Sequence, residues 1–220
     1  MAEFSTKVDF DRVIKNIWED ESFKDIELLK RGFAIQDIIL KDALMFIGIN
    51  PSYDGNPGNT YYNHSHGQEH RYFKKFVNIT KEVNSKKDLS KEAKLDWTHL
   101  DLLFIRETSQ SLVRQLYEKE KLFLDEQLKI SKQILIEAQP KIIVVNNTFA
   151  RDLLKSEKHS TPKFEFNFDP ELGTEKIISP VQLKDCPVFF TSMLTGQRAL
   201  DLGSYARLVW HIEYVLKKIS

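Results

Sequence analysis

The stretch Leu44-Met45-Phe46-Ile47-Gly48-Ile49-Asn50-Pro51-Ser52-Tyr53-Asp54-Gly55 decides the fold. A short apolar run gives way abruptly to an asparagine, a proline and small polar residues. A run of this length bounded by Gly and Pro reads as a strand buried on both faces. Past its carboxyl end the chain must turn, and in open α/β sheets that rim is where ligands bind. The chemistry is expected there, with the rest of the chain as scaffold for this loop or as a second wall facing it.

Three more apolar runs end in the same way. Residues 100–105 (LDLLFI) stop at Arg106-Glu107-Thr108-Ser109, residues 141–145 (KIIVV) at Asn146-Asn147-Thr148, and residues 187–191 (PVFFT) at Ser192-Met193-Leu194-Thr195. Between them, helical spacing covers residues 68–83, 118–138 (closed by Gln139-Pro140), a short stretch to 154 capped by Asn147 or Thr148, and 201–219. Strands alternating with helices, joined by right-handed crossovers, predict an α/β fold. Its expected form is a three-layer α/β/α sandwich with a central four-stranded parallel sheet. Residues 1–220 read as one domain, with 1–40 as a helical lead-in and 163–179 as a surface β-hairpin insertion. Residues 50–67 read as a long loop, a kind of segment that in compact domains is usually functional or disordered.

Composition narrows the function. Lys+Arg and Asp+Glu both number 32, so the formal net charge is +0. No global field then draws the chain to nucleic acid or an anionic membrane, and DNA contact requires a local basic patch such as Arg151, Lys155, Lys158 and Arg198. Fifteen Phe point to an aromatic-rich core or an aromatic ligand site, core packing being the commoner use. The lone Cys186 excludes an intramolecular disulfide and argues against a Cys-ligated zinc or iron–sulfur centre. No run approaches the ~20 apolar residues of a membrane span. The first residues lack a signal-peptide pattern. The expectation is a cytoplasmic protein, monomeric, with no cofactor and no membrane partner.

Two rim loops carry candidate chemistry. At Gly48-Ile49-Asn50-Pro51-Ser52, Gly48 permits close backbone approach and Pro51 stiffens the turn. Asn50 offers both donor and acceptor, suited to orienting a water or a base edge, though not to acting as a general base. The plain alternative is a turn-forming Asn after a strand. In the second loop, Ser192 to Arg198, Met193 and Leu194 form an apolar wedge flanked by the flexible Gly196 and the donors Gln197 and Arg198. That combination suits insertion into a duplex where a base has been extruded. Its plain alternative is a connection that caps the last helix.

Gly48-Ile49-Asn50-Pro51-Ser52 resembles the first motif of the uracil-DNA glycosylase superfamily, nearest to its mismatch-specific uracil/thymine branch, which has Gly where this chain has Ser52. Residues 102–108, 140–150 and 191–198 fall where that superfamily keeps its second strand, third strand and last, DNA-inserting motif. The resemblance implies hydrolysis of the N-glycosidic bond of a flipped, deaminated base, with DNA as substrate. It implies that Asn50 positions the water and that Gly48, Ile49, Pro51 and Ser52 line the pocket floor. Tyr53 or Tyr62 would stack on the base, Arg106 and Thr108 would stand at the pocket edge, and Asn146 and Asn147 near the DNA backbone. Ser192, Met193, Leu194, Gly196, Gln197 and Arg198 would form the wedge. The chain lacks the His that several branches place in the last motif, as does the mismatch-specific branch. With one Cys it is excluded from the iron–sulfur branches.

Two other functions stay open. One is a nucleic-acid or nucleotide binding protein on the same fold, without cleavage. The other is a metal-dependent hydrolase using His64, His66 and His70, whose neutral imidazoles suit zinc. His99 and His211 read as single core histidines.

Overall fold

The structure is a computed structural model, describing residues 2–63, 71–85, 94–155, 163–195 and 199–219. The chain opens with β1 (Glu3–Ser5), α1 (Thr6–Asp9), α2 (Asp11–Trp18), β2 (Ala34–Gln36) and β3 (Ile38–Leu40). The central part comprises β4 (Leu44–Gly48), β5 (Thr60–Tyr62), α3 (Lys74–Asn84), β6 (Trp97–Asp101), α4 (Gln110–Lys119), α5 (Lys121–Ala138), β7 (Ile142–Val145) and α6 (Thr148–Lys155). Then follow β8 (Glu165–Asp169), β9 (Thr174–Ser179), β10 (Pro187–Phe190) and α7 (Leu202–Ile219).

A six-stranded mixed sheet in the order β6-β4-β7-β10-β9-β8 forms the centre of this α/β fold. The contiguous strands β6, β4, β7 and β10 are parallel, and β9 and β8 continue the sheet antiparallel. Leu44, Met45, Phe46 and Ile47 of β4 are all fully buried, as expected for a strand with helices on both faces. Alternate residues divide between two cores. Met45, Ile47, Ile143, Val145 and Val188 pack with the apolar sides of α2, α5 and α6. Leu44, Phe46, Ile142, Val144 and Phe189 pack with those of α3 and α7. Among the described residues, no helix is long and apolar enough to cross a membrane.

The 163–179 hairpin is not a surface insertion. Its second strand pairs with β10, and the Thr174 hydroxyl donates to the Val188 carbonyl at 2.7 Å. Alternation along β9 puts Ile177 in the core, and the sheet thereby becomes mixed rather than four-stranded and parallel. The lead-in is also only partly helical. β1 pairs with β3, and β2 pairs in parallel with β5, which lies inside the stretch that sequence presents as a long loop.

The second apolar run differs most from expectation. Its strand is Trp97–Asp101, and residues 102–105 leave the sheet while remaining fully buried. Leu102 and Leu103 donate to the carbonyls of Gly48 and Ile49. The amides of Phe104 and Ile105 both donate to Oε1 of the buried Gln127 on α5, at 2.8 and 3.2 Å. A side chain thus performs the function of a neighbouring strand, which apolar periodicity does not reveal. The helix expected over 118–138 is α5, and a further helix, α4, precedes it, the two meeting at Glu120, where ψ is 48°. Only Val113 of α4 is buried, too little apolar signal to mark a separate helix.

Replacing Gln127 by Leu keeps most of the volume and removes the acceptor for two buried amides. The expected loss of unfolding free energy is about 2–4 kcal/mol, read as a lower urea midpoint at unchanged slope. A midpoint within error of wild type would show that these amides find other partners.

Candidate functional site

The carboxyl ends of β4, β6, β7 and β10 open into one cleft of about 410 Å³. Gly48, Ile49, Asn50, Pro51 and Ser52 line it after β4, Asp101 and Arg106 to Thr108 contribute after β6, Asn146 and Asn147 after β7, and Met193 to Thr195 after β10. Tyr62 from β5, with Tyr72 and Phe73 ahead of α3, completes the wall.

Asn50 is held by three hydrogen bonds. Its Nδ2 donates to the carbonyls of Pro51 at 2.9 Å, Ile105 at 3.3 Å and Glu107 at 2.6 Å. Three acceptors around one nitrogen fix which end of the amide is which. Oδ1 is left without a partner among the described residues, as an acceptor in a cleft-lining residue. The same bonds tie the loop after β4 to the loop after β6.

In sequence Asp101 is only part of a buried run. In the fold it ends β6 opposite Gly48 and is 7% exposed. A Cβ on Gly48 would lie 2.1 Å from Asp101 Oδ1, so glycine is required for the two strand ends to close. Tyr62 donates its hydroxyl to Oδ2 at 3.4 Å. Burial pushes the Asp101 carboxyl up to about 7, against the opposing effect of the Tyr62 hydroxyl. Burial likewise raises the Tyr62 and Tyr72 hydroxyls well above their ordinary range, so both stay neutral. Asn146 is hydrogen-bonded to the Tyr72 hydroxyl within the cleft. Phe73 and His99 stand edge-on, their ring centres 5.2 Å apart.

Several predicted residues at the cleft are committed to holding its loops together. Arg106 is 6% exposed; its guanidinium donates to the carbonyls of Asn56 and Gly58 and pairs with Asp54 at 2.7 Å. Arg31 pairs with Glu107 at 2.7 Å. Burial opposes ionisation of Glu107, but the Ser109 amide and Arg31 outweigh it and hold that carboxyl below the usual range. The guanidiniums of Arg31 and Arg106 lie 4.7 and 5.3 Å from the ring centre of Tyr53, which is not among the cleft-lining residues. Its ring is therefore engaged by cations instead of being open to a base. Thr108 Oγ1 bonds both the amide and the carbonyl of Tyr53.

Asn147 caps α6, its Oδ1 accepting from the amides of Phe149 and Ala150 and from Gln110 Nε2. Its Nδ2 has no partner among the described residues. In the last loop Leu194 is buried in the α3/α7 core and does not stand out as a wedge; Met193 is half-buried and Ser192 exposed. Gly196, Gln197 and Arg198 lie outside the described residues, as do His64, His66, His70 and Lys158. Among the described residues, no three His, Cys, Asp or Glu side chains are grouped to hold a metal ion. Arg151 and Lys155, from the basic patch, pair with Asp152 and Glu175.

The functional candidates that sequence reasoning misses are Asp101, Tyr72 and Phe73. For Asp101 one signal exists: a lone acid inside an otherwise apolar run, which burial must either pair or neutralise. No family model matches the chain, and a search of curated proteins finds no match either.

Asp101 keeps its proton in the folded chain at pH values where the unfolded chain has lost it. Its contribution to stability is therefore greatest below about pH 4 and declines as pH rises to about 7. The expected decline is on the order of 4 kcal/mol, at ~1.4 kcal/mol for each pH unit separating the folded and unfolded titrations. Asp101→Asn flattens that part of the stability curve, measured by denaturant unfolding at pH 4, 5.5 and 7. A second variant, Gly48→Ala, drives a methyl into the carboxylate and lowers the melting temperature by several degrees at every pH.

Proposed function

We propose that the chain is a uracil-DNA-glycosylase-like hydrolase, cleaving the N-glycosidic bond of a deaminated base held in the cleft. The observation that carries this reading is Asn50. Its amide is oriented by three carbonyls, leaving Oδ1 as an acceptor at the rim of the central strand. Such an oxygen takes one proton of a water and turns a lone pair of that water toward the anomeric carbon. Water adds at C1′, the C1′–N bond breaks with its electron pair passing to the base, and the proton of the water ends on the departing base. Asn147 Nδ2 is a donor in the same cleft for charge developing on that base. Phe73 and Tyr72 supply the aromatic wall that a flat, unstacked base requires. The run of four parallel strands within the sheet, in the order β6-β4-β7-β10, supports the same reading, because the resemblance implies a central four-stranded parallel sheet with its site at that rim.

A second reading is binding of a base or nucleotide without cleavage. What favours it is the state of the described cations. Arg31 and Arg106 at the cleft, and Arg151 and Lys155 on α6, are all ion-paired within the chain. These four charges are therefore already neutralised within the chain and release little counterion on meeting a duplex.

Fluorescent oligonucleotides bearing a single uracil, hypoxanthine or mismatched thymine, single- and double-stranded, separate the two. Cleavage by wild type, lowered about 10²–10³-fold in Asn50→Ala, is the expected result. Asn50→Ala also frees three loop carbonyls and lowers unfolding free energy by about 1–3 kcal/mol. Its activity is therefore measured well below its melting temperature. Intact bases in every substrate, with oligonucleotide binding that varies little with salt, would replace the first reading by the second.

A further inference from the structure

The reaction above gives Asp101 no role, although it is a buried acid of the cleft with no cation paired to it among the described residues. Its register partner Gly48 lies two residues short of Asn50 on the neighbouring strand, so the carboxyl sits deeper than the Asn50 amide. A base whose glycosidic bond meets the water at Asn50 points its far edge at this floor. Among the described residues, the titratable groups around Asp101 are Tyr62 from β5, Tyr72 ahead of α3, and His99 on β6, whose Nε2 is 3.5 Å from Oδ1, too long for a firm hydrogen bond. Arg106 and Glu107 line the same cleft but are committed to Asp54 and Arg31. Among the described residues no lysine or arginine pairs with Asp101.

The Tyr62 hydroxyl faces Oδ2 at 3.4 Å, a long contact, and the carboxyl proton is assigned by inference to Oδ1, the oxygen packed against Gly48. A neutral carboxylic acid donates a hydrogen bond, whereas a carboxylate only accepts. Apolar surroundings are what hold such an acid neutral near pH 7, and burial raises this one into that range. The far edge of a deaminated base carries a keto oxygen where its parent carries an amine.

We propose that Asp101 reads the far edge of the bound base as a neutral acid, donating from Oδ1 to a keto oxygen, so that the cleft takes keto bases in preference to amino bases. The proposal rests on the reading of the cleft as a base pocket and adds the group that discriminates within it. An ionised Asp101 sets two acceptors against each other and expels a keto ligand. The affinity for a keto base therefore follows the protonated fraction.

Calorimetric titration of the full chain with free uracil and free cytosine, from pH 5.5 to 8.5, tests this. Uracil affinity is expected to be level at low pH and to fall about tenfold per pH unit above the midpoint near 7. Cytosine is expected to bind at least about tenfold more weakly at pH 6, in line with one misplaced hydrogen bond. Asp101→Asn, whose amide donates at every pH, should bind uracil with no pH dependence. Equal affinity for the two bases at pH 6, uracil affinity constant or rising with pH in wild type, an unchanged pH dependence in Asp101→Asn, or no binding of either base would each overturn the proposal. Uracil excision combined with pH-independent uracil binding would leave the glycosylase reading standing and remove this one. A pH-dependent affinity without excision would do the reverse.

Discussion

Between Asp101 and Glu107 the chain is buried throughout yet outside the sheet, and its backbone groups must still be hydrogen-bonded. That requirement shapes the whole rim. The Gly48 and Ile49 carbonyls accept from the first of these amides, Gln127 from the next two, and the Ile105 and Glu107 carbonyls face the Asn50 amide. Each of these bonds joins elements far apart in sequence. Together they set the loop after β4 against the loop after β6, and they leave one amide oxygen over as an acceptor.

The two polar side chains at the heart of the cleft are shaped by opposite means. Asn50 is held by an excess of partners on one side, which fixes its orientation. Asp101 has few partners and little water, which changes its protonation. A rigid acceptor at the rim and a titrating acid at the floor give the two ends of the cleft different chemistry, although they stand on adjacent strands. Gly48 lies between them and admits both because it has no side chain.

The parallel strands, the rim loops and Asn50 are legible in the sequence because a buried strand writes itself as an uninterrupted apolar run ended by turn residues. The β9 pairing is not, since an alternating strand looks the same at a surface and at a sheet edge. Residues 102–105 pass for strand because burial, not strand geometry, is what an apolar run reports. Sequence points to Arg106, Tyr53 and Thr108, of which Arg106 and Thr108 line the cleft and Tyr53 does not, and it shows none of their contacts: composition reveals a guanidinium and says nothing of the Asp54 carboxylate and the carbonyls that occupy it. Asp101 is hidden because its character comes from what surrounds it, namely Gly48 from one strand and Tyr62 from another.

The pairing of β2 with β5 has a mechanical consequence. Gly32 packs so closely on Gly58 that a Cβ would meet the Gly58 carbonyl carbon at 2.4 Å, and the Gly58 amide donates to the Arg31 carbonyl. Residues 31–36 and 58–62 are therefore joined both by this glycine contact and by strand pairing, and Tyr62 belongs to the second segment. Widening of the cleft on that side must carry the early segment of the chain along or tear both glycine contact and strand pairing at once. The early segment of the chain is thus part of the backing of the cleft wall that carries Tyr62.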